Sequence, residues 1–160
     1  MIGLLRGAVV VRTGEGEVII DVGGVGYRVS VTPATAAALV GPGSDATLYV
    51  HTHVREDAIV LYGFVHDDER RCFEVLLGSH GVGPALALAI MAALSPAALS
   101  TAVLEEDLDT LCTVPGVGRK TAARLLIELK SRLDLPDLSL SGAGGPGADV
   151  AGGAGGAGGA

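Results

Sequence analysis

VPGVGRKTA, at residues 114–122, is the most informative stretch of this 160-residue sequence. Part of it occurs 35 residues earlier as Gly81-Val82-Gly83, and in both copies an alanine follows four positions after the last glycine. Each copy lies between two segments with a helical pattern. The sequence therefore predicts a unit of helix, Gly-x-Gly turn and helix that occurs twice.

The Gly-x-Gly turn suits a binding role for the helix that follows it. Glycines permit a tight turn with positive φ, and the second helix presents unpaired N–H groups and the positive end of its dipole. This shape resembles the helix-hairpin-helix motif, pairs of which grip the backbone of duplex DNA without reading its bases. The alternative is a compact turn between two helices that has no ligand.

The two copies differ in charge. Arg119 and Lys120 directly follow the second turn and Arg124 comes one helical turn later, whereas no Lys or Arg occurs between Arg71 and Arg119. The first copy is therefore predicted to contact DNA through main-chain amides alone. The predicted DNA-binding residues are Gly81, Gly83, Gly116, Gly118, Arg119, Lys120 and Arg124.

The net charge of the whole chain is acidic. With 11 Lys+Arg and 18 Asp+Glu, a formal charge of −7 argues against general nucleic-acid binding and leaves open a module for a partner other than DNA. The distribution of charge favours DNA, because residues 115–132 hold five cations and one acid. A basic segment within an acidic chain indicates a confined binding surface.

The residues before the helical part predict a barrel, and the fold class is α+β. From Met1 to Phe64, short alternating apolar runs are punctuated by glycines. Five strands with one helix after the third favour a closed barrel of the OB type over another five-stranded barrel or a sandwich. Strands are predicted near 2–12, 16–22, 25–32, 46–53 and 58–64, with a helix at 33–39.

Helical periodicity begins after Phe64 and predicts an all-α second part. Five helices are expected, the first from Asp67 up to Gly78 and the others at about 84–94, 96–103, 105–112 and 119–133. The predicted domains are the barrel at 1–64, a tandem helix-hairpin-helix domain at 65–135 and a flexible Gly/Ala-rich linker at 136–160.

Residue types disfavour several classes of protein. No apolar run reaches the roughly 18 residues of a membrane span, so a cytoplasmic protein is expected. Cys72 and Cys112 are predicted to be reduced and buried, which excludes a disulfide framework. No catalytic residue, metal site or cofactor is predicted, and the sequence contains no Walker-type ATP motif.

His51-Thr52-His53 supports the competing hypothesis of an enzyme. Two imidazoles on one face of a strand, with Asp67 or Asp68 nearby, suggest a nuclease that uses a divalent metal, but His-x-His alone is a weak pattern. Two exposed strand histidines are the simpler interpretation. Ser79-His80 lacks an acid partner for hydrolysis, and His80 is predicted to be a loop residue.

The chain resembles the RuvA family in six blocks that occur in order from Met1 to about Leu135. These blocks are residues 1–7, 22–27, 54–57, 61–64, 81–84 and 114–122. The resemblance implies an OB barrel, two helix-hairpin-helix motifs, a linker and a third domain that docks on the RuvB hexameric ATPase. It also implies a homotetramer, or two tetramers enclosing the DNA, that holds a Holliday junction open and square. Such a complex serves branch migration and the RuvC resolvase in recombination, DNA repair and the SOS response.

The resemblance gives a role to the predicted hairpin turn Arg55-Glu56-Asp57, whose acids are otherwise ordinary solvated residues. In the family, the turn that corresponds to Glu56 and Asp57 forms an acidic pin at the four-fold axis. Carboxylates at the crossover repel phosphates while the hairpins attract them. That combination selects an open junction over continuous duplex.

Two departures from the family pattern affect the expectations. Ala85 stands where family members often carry Lys or Arg after the first Gly-Val-Gly-Pro, which weakens the expected grip of the first hairpin. Residues 136–160 are Gly/Ala-rich where a third domain is expected. The chain as given is therefore expected to bind and square a junction without stimulating a RuvB-type motor.

Overall fold

The computed structural model describes residues 1–133, and their first half forms a closed five-stranded barrel. The strand order is β1-β2-β3-β5-β4, with β3 and β5 parallel and the other pairs antiparallel. The strands are β1 (Leu4–Thr13), β2 (Glu17–Val22), β3 (Val25–Val31), β4 (Asp45–Val54) and β5 (Ile59–Phe64). Helix α1 (Pro33–Ala38) follows β3. The predicted barrel is confirmed, including the position of its inserted helix.

Alternation of apolar residues along the strands fills the barrel. Leu5 and Val9 on β1, and Val18 and Ile20 on β2, are buried because side chains two or four residues apart point to the same face of a strand. Helix α1 packs against the barrel core through Ala36. Its first turn is capped by the buried Thr32, whose hydroxyl accepts a hydrogen bond of 3.1 Å from the Thr35 amide.

Five helices follow the barrel, as predicted, and share a second apolar core. They are α2 (Asp67–Leu77), α3 (Pro84–Ala93), α4 (Pro96–Leu104), α5 (Leu108–Cys112) and α6 (Arg119–Leu133). The predicted start of α5 at residue 105 is wrong. Glu106 has a positive φ of 55°, and the Asp107 carboxylate accepts a 3.0 Å hydrogen bond from the Thr110 amide, so the helix begins after this cap.

Aromatic packing joins the helices to the barrel. Phe73 of α2 is fully buried, and its ring centroid lies 5.2 Å from that of Phe64 and 5.0 Å from that of Tyr62, both on β5. Both ring pairs are tilted, and aromatic pairs at such distances stabilise a fold beyond the apolar area that they bury. The helical part therefore packs directly on the barrel through the contact of α2 with β5.

The remaining predictions about the chain as a whole have mixed outcomes. Within residues 1–133 no single helix is long and apolar enough to cross a membrane, and the apolar helices α3 and α4 meet at an angle of 92°. Both cysteines are free; Cys72 is buried as predicted, whereas Cys112 is only half-buried. The predicted linker at 136–160 lies outside the described residues.

Candidate nucleic-acid interface

The first Gly-x-Gly turn joins α2 to α3. Gly81 has a φ of +74°, which favours glycine because other side chains are strained there. The next residue, Val82, points into the core, and its amide donates to the Ser79 carbonyl at 3.2 Å. Gly83 precedes α3 and its carbonyl accepts from the Ala87 amide at 2.9 Å. The turn therefore leads directly into the first turn of α3.

The second turn, between α5 and α6, repeats this arrangement. Gly116 has a φ of +89°, the amide of the buried Val117 donates to the Val114 carbonyl at 3.0 Å, and the Gly118 carbonyl accepts from the Ala122 amide at 2.8 Å. The alanines that follow the turns, Ala87 and Ala122, both have no exposed surface. The sequence repeat is therefore a structural repeat, and the predicted unit of helix, turn and helix is confirmed.

Each turn lies against the second helix of the other motif. A Cβ atom built on Gly116 would be 3.5 Å from Cδ1 of Leu86 on α3. One built on Gly81 would be 2.7 Å from Nη2 of Arg124 on α6. The two hairpins consequently form one packed pair whose turns are both exposed at Gly81, Gly83, Gly116 and Gly118.

Arg119 and Lys120 are exposed in the first turn of α6. Arg119 lies 3.4 Å from the Asp109 carboxylate, and the two side chains are 77% and 86% exposed. An ion pair so open to solvent contributes little and is screened by salt, so a phosphate competes with Asp109 easily. The structure thus places two cations beside the unpaired amides of an exposed helix N-terminus, an arrangement suited to phosphate.

Arg124 has a different environment from Arg119 and Lys120. It is half-buried between the two hairpins, with its guanidinium against Gly81. Its Nε is buried and has no hydrogen-bond partner within the part of the chain that the structure describes. Spacing along α6 predicts the direction of this side chain but not the approach of the first hairpin, so sequence reasoning missed the contact.

The first hairpin has no cation of its own beside α3. Ala85 is exposed in the first turn of this helix, where a longer basic side chain has room. Two arginines of α6 reach the same hairpin instead, Arg124 at Gly81 and Arg132 through a 2.5 Å hydrogen bond from Nη2 to the Gly78 carbonyl. Arg124 and Arg132 are eight residues apart, which places them on one face of α6, and this spacing was the only indication in the sequence that they act on the same neighbour.

The acidic hairpin between β4 and β5 is closed by a 2.8 Å hydrogen bond from the Arg55 amide to the Ala58 carbonyl. Glu56 and Asp57 at its tip are exposed, as expected for a tight turn. Val54 and Ile59, which form the last pair of the ladder, are 70% and 68% exposed. This hairpin tip therefore presents charge flanked by uncovered apolar side chains.

The histidines of β4 are not the exposed pair that the sequence suggested. His51 Nδ1 lies 3.0 Å from the Glu74 carboxylate of α2, and its ring packs edge-on against Phe73 at 5.6 Å. That expectation is wrong because α2 covers this side of the barrel. Across residues 1–133, no three His, Cys, Asp or Glu side chains are arranged to hold a metal ion.

Asp67, suggested above as a metal ligand, forms ion pairs with Arg70 and Arg71 instead. Burial alone raises the pKa of its carboxyl, but hydrogen bonds and charges from Arg70 and Arg71 outweigh burial and lower the pKa below its ordinary value. His80 is an exposed loop residue as predicted, and its amide donates to the Glu128 carboxylate at 2.8 Å. The sequence gave no indication of the Glu128 contact.

A closed five-stranded barrel followed by a tandem helix-hairpin-helix pair defines a class of proteins with DNA-binding domains. A family described as "RuvA N terminal domain" matches residues 1–63, and one described as "SAM-like Helix-hairpin-helix tandem" matches residues 73–131. The chain belongs to the RuvA family.

Relatives with the name "Holliday junction branch migration complex subunit RuvA" support this assignment. The protein from Symbiobacterium thermophilum is 50% identical over 133 residues, covering 83% of this chain and 64% of the relative. The one from Herpetosiphon aurantiacus is 46% identical over 140 residues, covering 87% and 70%. The chain thus spans about two thirds of the length of these curated relatives.

Proposed function

We propose that this chain binds four-way Holliday junctions and holds them open and square as a homotetramer. The observation that carries the proposal is the pair of equivalent exposed turns, each leading into a helix N-terminus, with Arg119 and Lys120 beside the second. Relatives that are 50% and 46% identical to this chain are named as subunits of a branch migration complex. Phosphate oxygens are the ligands that such turns recognise.

The two hairpins contact DNA in different ways. The second combines main-chain amides near Gly116 and Gly118 with the side chains of Arg119 and Lys120, and it supplies most of the salt-sensitive affinity. The first offers amides near Gly81 and Gly83, with Arg124 as the nearest cation. Neither set of groups reads base edges, so binding follows the shape of the DNA and not its sequence.

The acidic hairpin supplies selectivity for the junction. In a tetramer, four copies of Glu56 and Asp57 meet at the symmetry axis and face the crossover. Their repulsion of phosphates disfavours a continuous duplex that passes across the centre and tolerates an open junction whose strands turn away. Exposure of both side chains at the tip of a closed hairpin supports this role.

The protein supplies geometry and leaves the chemistry to its partners. We assign residues 1–64 to a barrel domain and 65–135 to the junction-binding domain. The tetramer, single or paired around the junction, delivers DNA to the RuvB hexameric ATPase and the RuvC resolvase in the cytoplasm. No cofactor, metal or catalytic residue is part of this proposal. His51, the candidate for a competing nuclease site, packs against Glu74 and Phe73.

A gel shift that compares a labelled four-way junction with linear duplex of the same sequence tests the proposal. We expect retarded junction complexes at protein concentrations that leave the duplex free, and a mass of four chains for the protein in light scattering. Equal binding of both DNAs, or none, contradicts junction recognition. A stable monomer at the concentrations that bind DNA contradicts the tetramer.

Incubation of the same junction with the protein and Mg²⁺ tests the absence of nuclease chemistry. We expect all four strands to remain intact on a denaturing gel. Cleavage that disappears when His51 and His53 are both replaced by alanine would assign a catalytic role to β4 and overturn this part of the proposal.

A further inference from the structure

One face of α6 carries three polar side chains at intervals of four residues: Arg124, Glu128 and Arg132. Residues four apart lie above one another on a helix, so these side chains form a row. All three contact the loop at residues 78–81, which belongs to the first hairpin and not to the motif that contains α6. We call this set the α6 row.

The contacts of the α6 row cover the loop from end to end. Arg132 donates to the Gly78 carbonyl at 2.5 Å, Glu128 accepts from the His80 amide at 2.8 Å, and the Arg124 guanidinium lies over Gly81. The partners are 54 and 48 residues apart in the two hydrogen bonds, so the loop is fixed by tertiary contacts. Within the loop, Ser79 is buried and its amide donates to Leu76 at 3.0 Å.

Fixing this loop matters because the first hairpin has no cation of its own with which to hold DNA. No Lys or Arg occurs between Arg71 and Arg119, so main-chain amides at and after Gly81 must make its phosphate contacts. Amides bind an anion well only when their directions are set in advance, since ordering a loop on binding costs conformational entropy. The direction of these amides depends on the φ of Gly81 and on both ends of the loop.

We propose that the α6 row positions the first hairpin for DNA, with Glu128 as its central positioning residue. This inference rests on the proposed function. It gives an acidic side chain a favourable role in binding a polyanion, because the Glu128 carboxylate holds the His80 amide and thereby orients the residues that follow. Through the row, the second hairpin helix sets the geometry of the first.

Electrostatics alone predicts the opposite effect of Glu128. It is the single acid among residues 115–132, so removing its charge should strengthen attraction to phosphate. Two substitutions separate charge from positioning. Glu128→Gln and Glu128→Ala remove the same charge, but the glutamine amide oxygen still accepts a hydrogen bond from His80.

The test measures the Kd for a four-way junction with the full chain and these two variants. We expect Glu128→Gln to bind as tightly as the unmodified chain or more tightly, and Glu128→Ala to bind about fivefold more weakly than Glu128→Gln, as for one lost hydrogen bond. Equal Kd values for the two variants would overturn the proposal. Glu105→Gln and Glu105→Ala are the matched control pair, because Glu105 is an exposed acid at the end of α4, and they should not differ.

Amide hydrogen exchange without DNA gives a second, independent measurement. We expect the His80 and Gly81 amides to exchange faster in Glu128→Ala than in Glu128→Gln, with unchanged exchange at the barrel strands. Alanine is a strong helix former, so α6 should persist in both variants. Equal exchange rates at residue 80 in the two variants would contradict the positioning role of Glu128. This measurement needs no DNA, so it is independent of the proposed function. An unmodified chain that showed no preference for the junction would overturn the proposed function instead.

Discussion

Individual side chains at the two turns divide into those that set the backbone and those that supply charge. Gly81 and Gly116 adopt positive φ, and Val82 and Val117 anchor the turns in the core, so these four residues make the shape. Arg119 and Lys120 are exposed beside that shape and add no packing. Replacing the cations should therefore change DNA binding without changing the fold.

Arg119→Ala with Lys120→Ala tests the role of these charges. We expect weaker junction binding for all DNA sequences alike, and a plot of log K against log salt whose slope falls by about two for each engaged subunit, as loss of two phosphate contacts requires. Titrations at several salt concentrations measure both. Arg28→Ala with Arg71→Ala removes the same charge from the barrel and α2 and should leave the slope nearly unchanged; a sequence-dependent loss would argue against phosphate contacts.

Ala85→Lys tests how closely the first hairpin approaches DNA. Ala85 is exposed in the first turn of α3, so a lysine there needs no repacking. One added exposed phosphate contact should strengthen junction binding by about 0.5–1 kcal/mol per subunit. Binding assays at low salt provide the measurement, with Ala92→Lys near the other end of α3 as the control. No gain over that control would mean that the first hairpin stays away from the backbone.

Burial of Cys72 makes the stability of the fold depend on pH above neutrality. Burial first, and then the charges of Asp68 and Glu69, raise the pKa of its thiol to about 12 from an ordinary value of 9.0. A raised folded-state pKa gives a contribution that is complete below the unfolded pKa and is lost as pH rises toward the folded one. We expect about 1.4 kcal/mol of unfolding free energy to be lost between pH 8 and pH 10.

Urea unfolding at both pH values measures this loss, with Cys72→Ala as the reference. The variant is less stable at every pH because it loses packing, but its stability should fall less steeply. Cys112→Ala is the control that shows whether removal of the other thiol changes the pH dependence of the unfolding free energy in the same way. The idea is rejected if Cys72→Ala and the unmodified chain have parallel pH profiles.

At the level of helices and strands, local pattern was enough for most of the fold. Alternating apolar residues predicted all five strands, and Ser95, whose hydroxyl accepts from the Ala98 amide at 3.1 Å, marked the start of α4. The start of α5 was missed because a positive φ at Glu106 is unusual for a residue with a side chain. Periodicity alone does not reveal such a backbone turn.

Contacts between distant elements account for the rest of what was missed. His51 was expected to be exposed, but α2 covers it. Arg124 was predicted to bind DNA, and its contact with Gly81 was not foreseen. In both cases the direction of the side chain was predictable and its neighbour was not. The candidate site residues were thus proposed from sequence motifs, while the contacts between the two hairpins required the structure.

Strand β1 contains a glycine that the barrel requires. A Cβ atom at Gly7 would overlap the Asp21 carbonyl oxygen, and the backbone of β2 has little freedom to move away. Gly7→Ala should therefore lower the free energy of unfolding by about 1–3 kcal/mol, as overpacking does. Thermal or urea unfolding gives the value. Gly3→Ala is the control because its Cβ meets nothing within 4 Å, and a similar loss in both variants would mean that the close contact with Asp21 is not the cause.

On the scale of the whole molecule, the proposed selectivity for junction over duplex rests on the acidic hairpin. Glu56→Gln with Asp57→Asn removes two charges from each chain, and so eight from the proposed tetramer. We expect tighter binding to all DNA and a larger gain for linear duplex than for the junction, because repulsion at the centre is what disfavours continuous duplex. Measuring both Kd values in one buffer gives the ratio that defines selectivity.

A charge-matched variant separates local from general repulsion in that measurement. Glu15→Gln with Asp45→Asn removes the same charge from exposed positions elsewhere on the barrel. If Glu56 and Asp57 act only at long range, both variants change affinity by similar tenths of a kcal/mol. A junction-to-duplex ratio that stays constant in the hairpin variant would remove the selective role from these residues.

The aromatic contact between α2 and the barrel has a mechanical consequence. Strands β4 and β5 carry the acidic hairpin at one end and hold Phe73 along their length, while α2, which contains Phe73, leads directly into the first Gly-x-Gly turn. Because Phe73 packs on Phe64 and Tyr62, the strand pair and α2 are expected to move together as one rigid unit. The separation between the acidic tip and the first Gly-x-Gly turn is then a fixed dimension of the chain. Under the proposed function, this dimension sets how far a bound junction arm lies from the acidic tip.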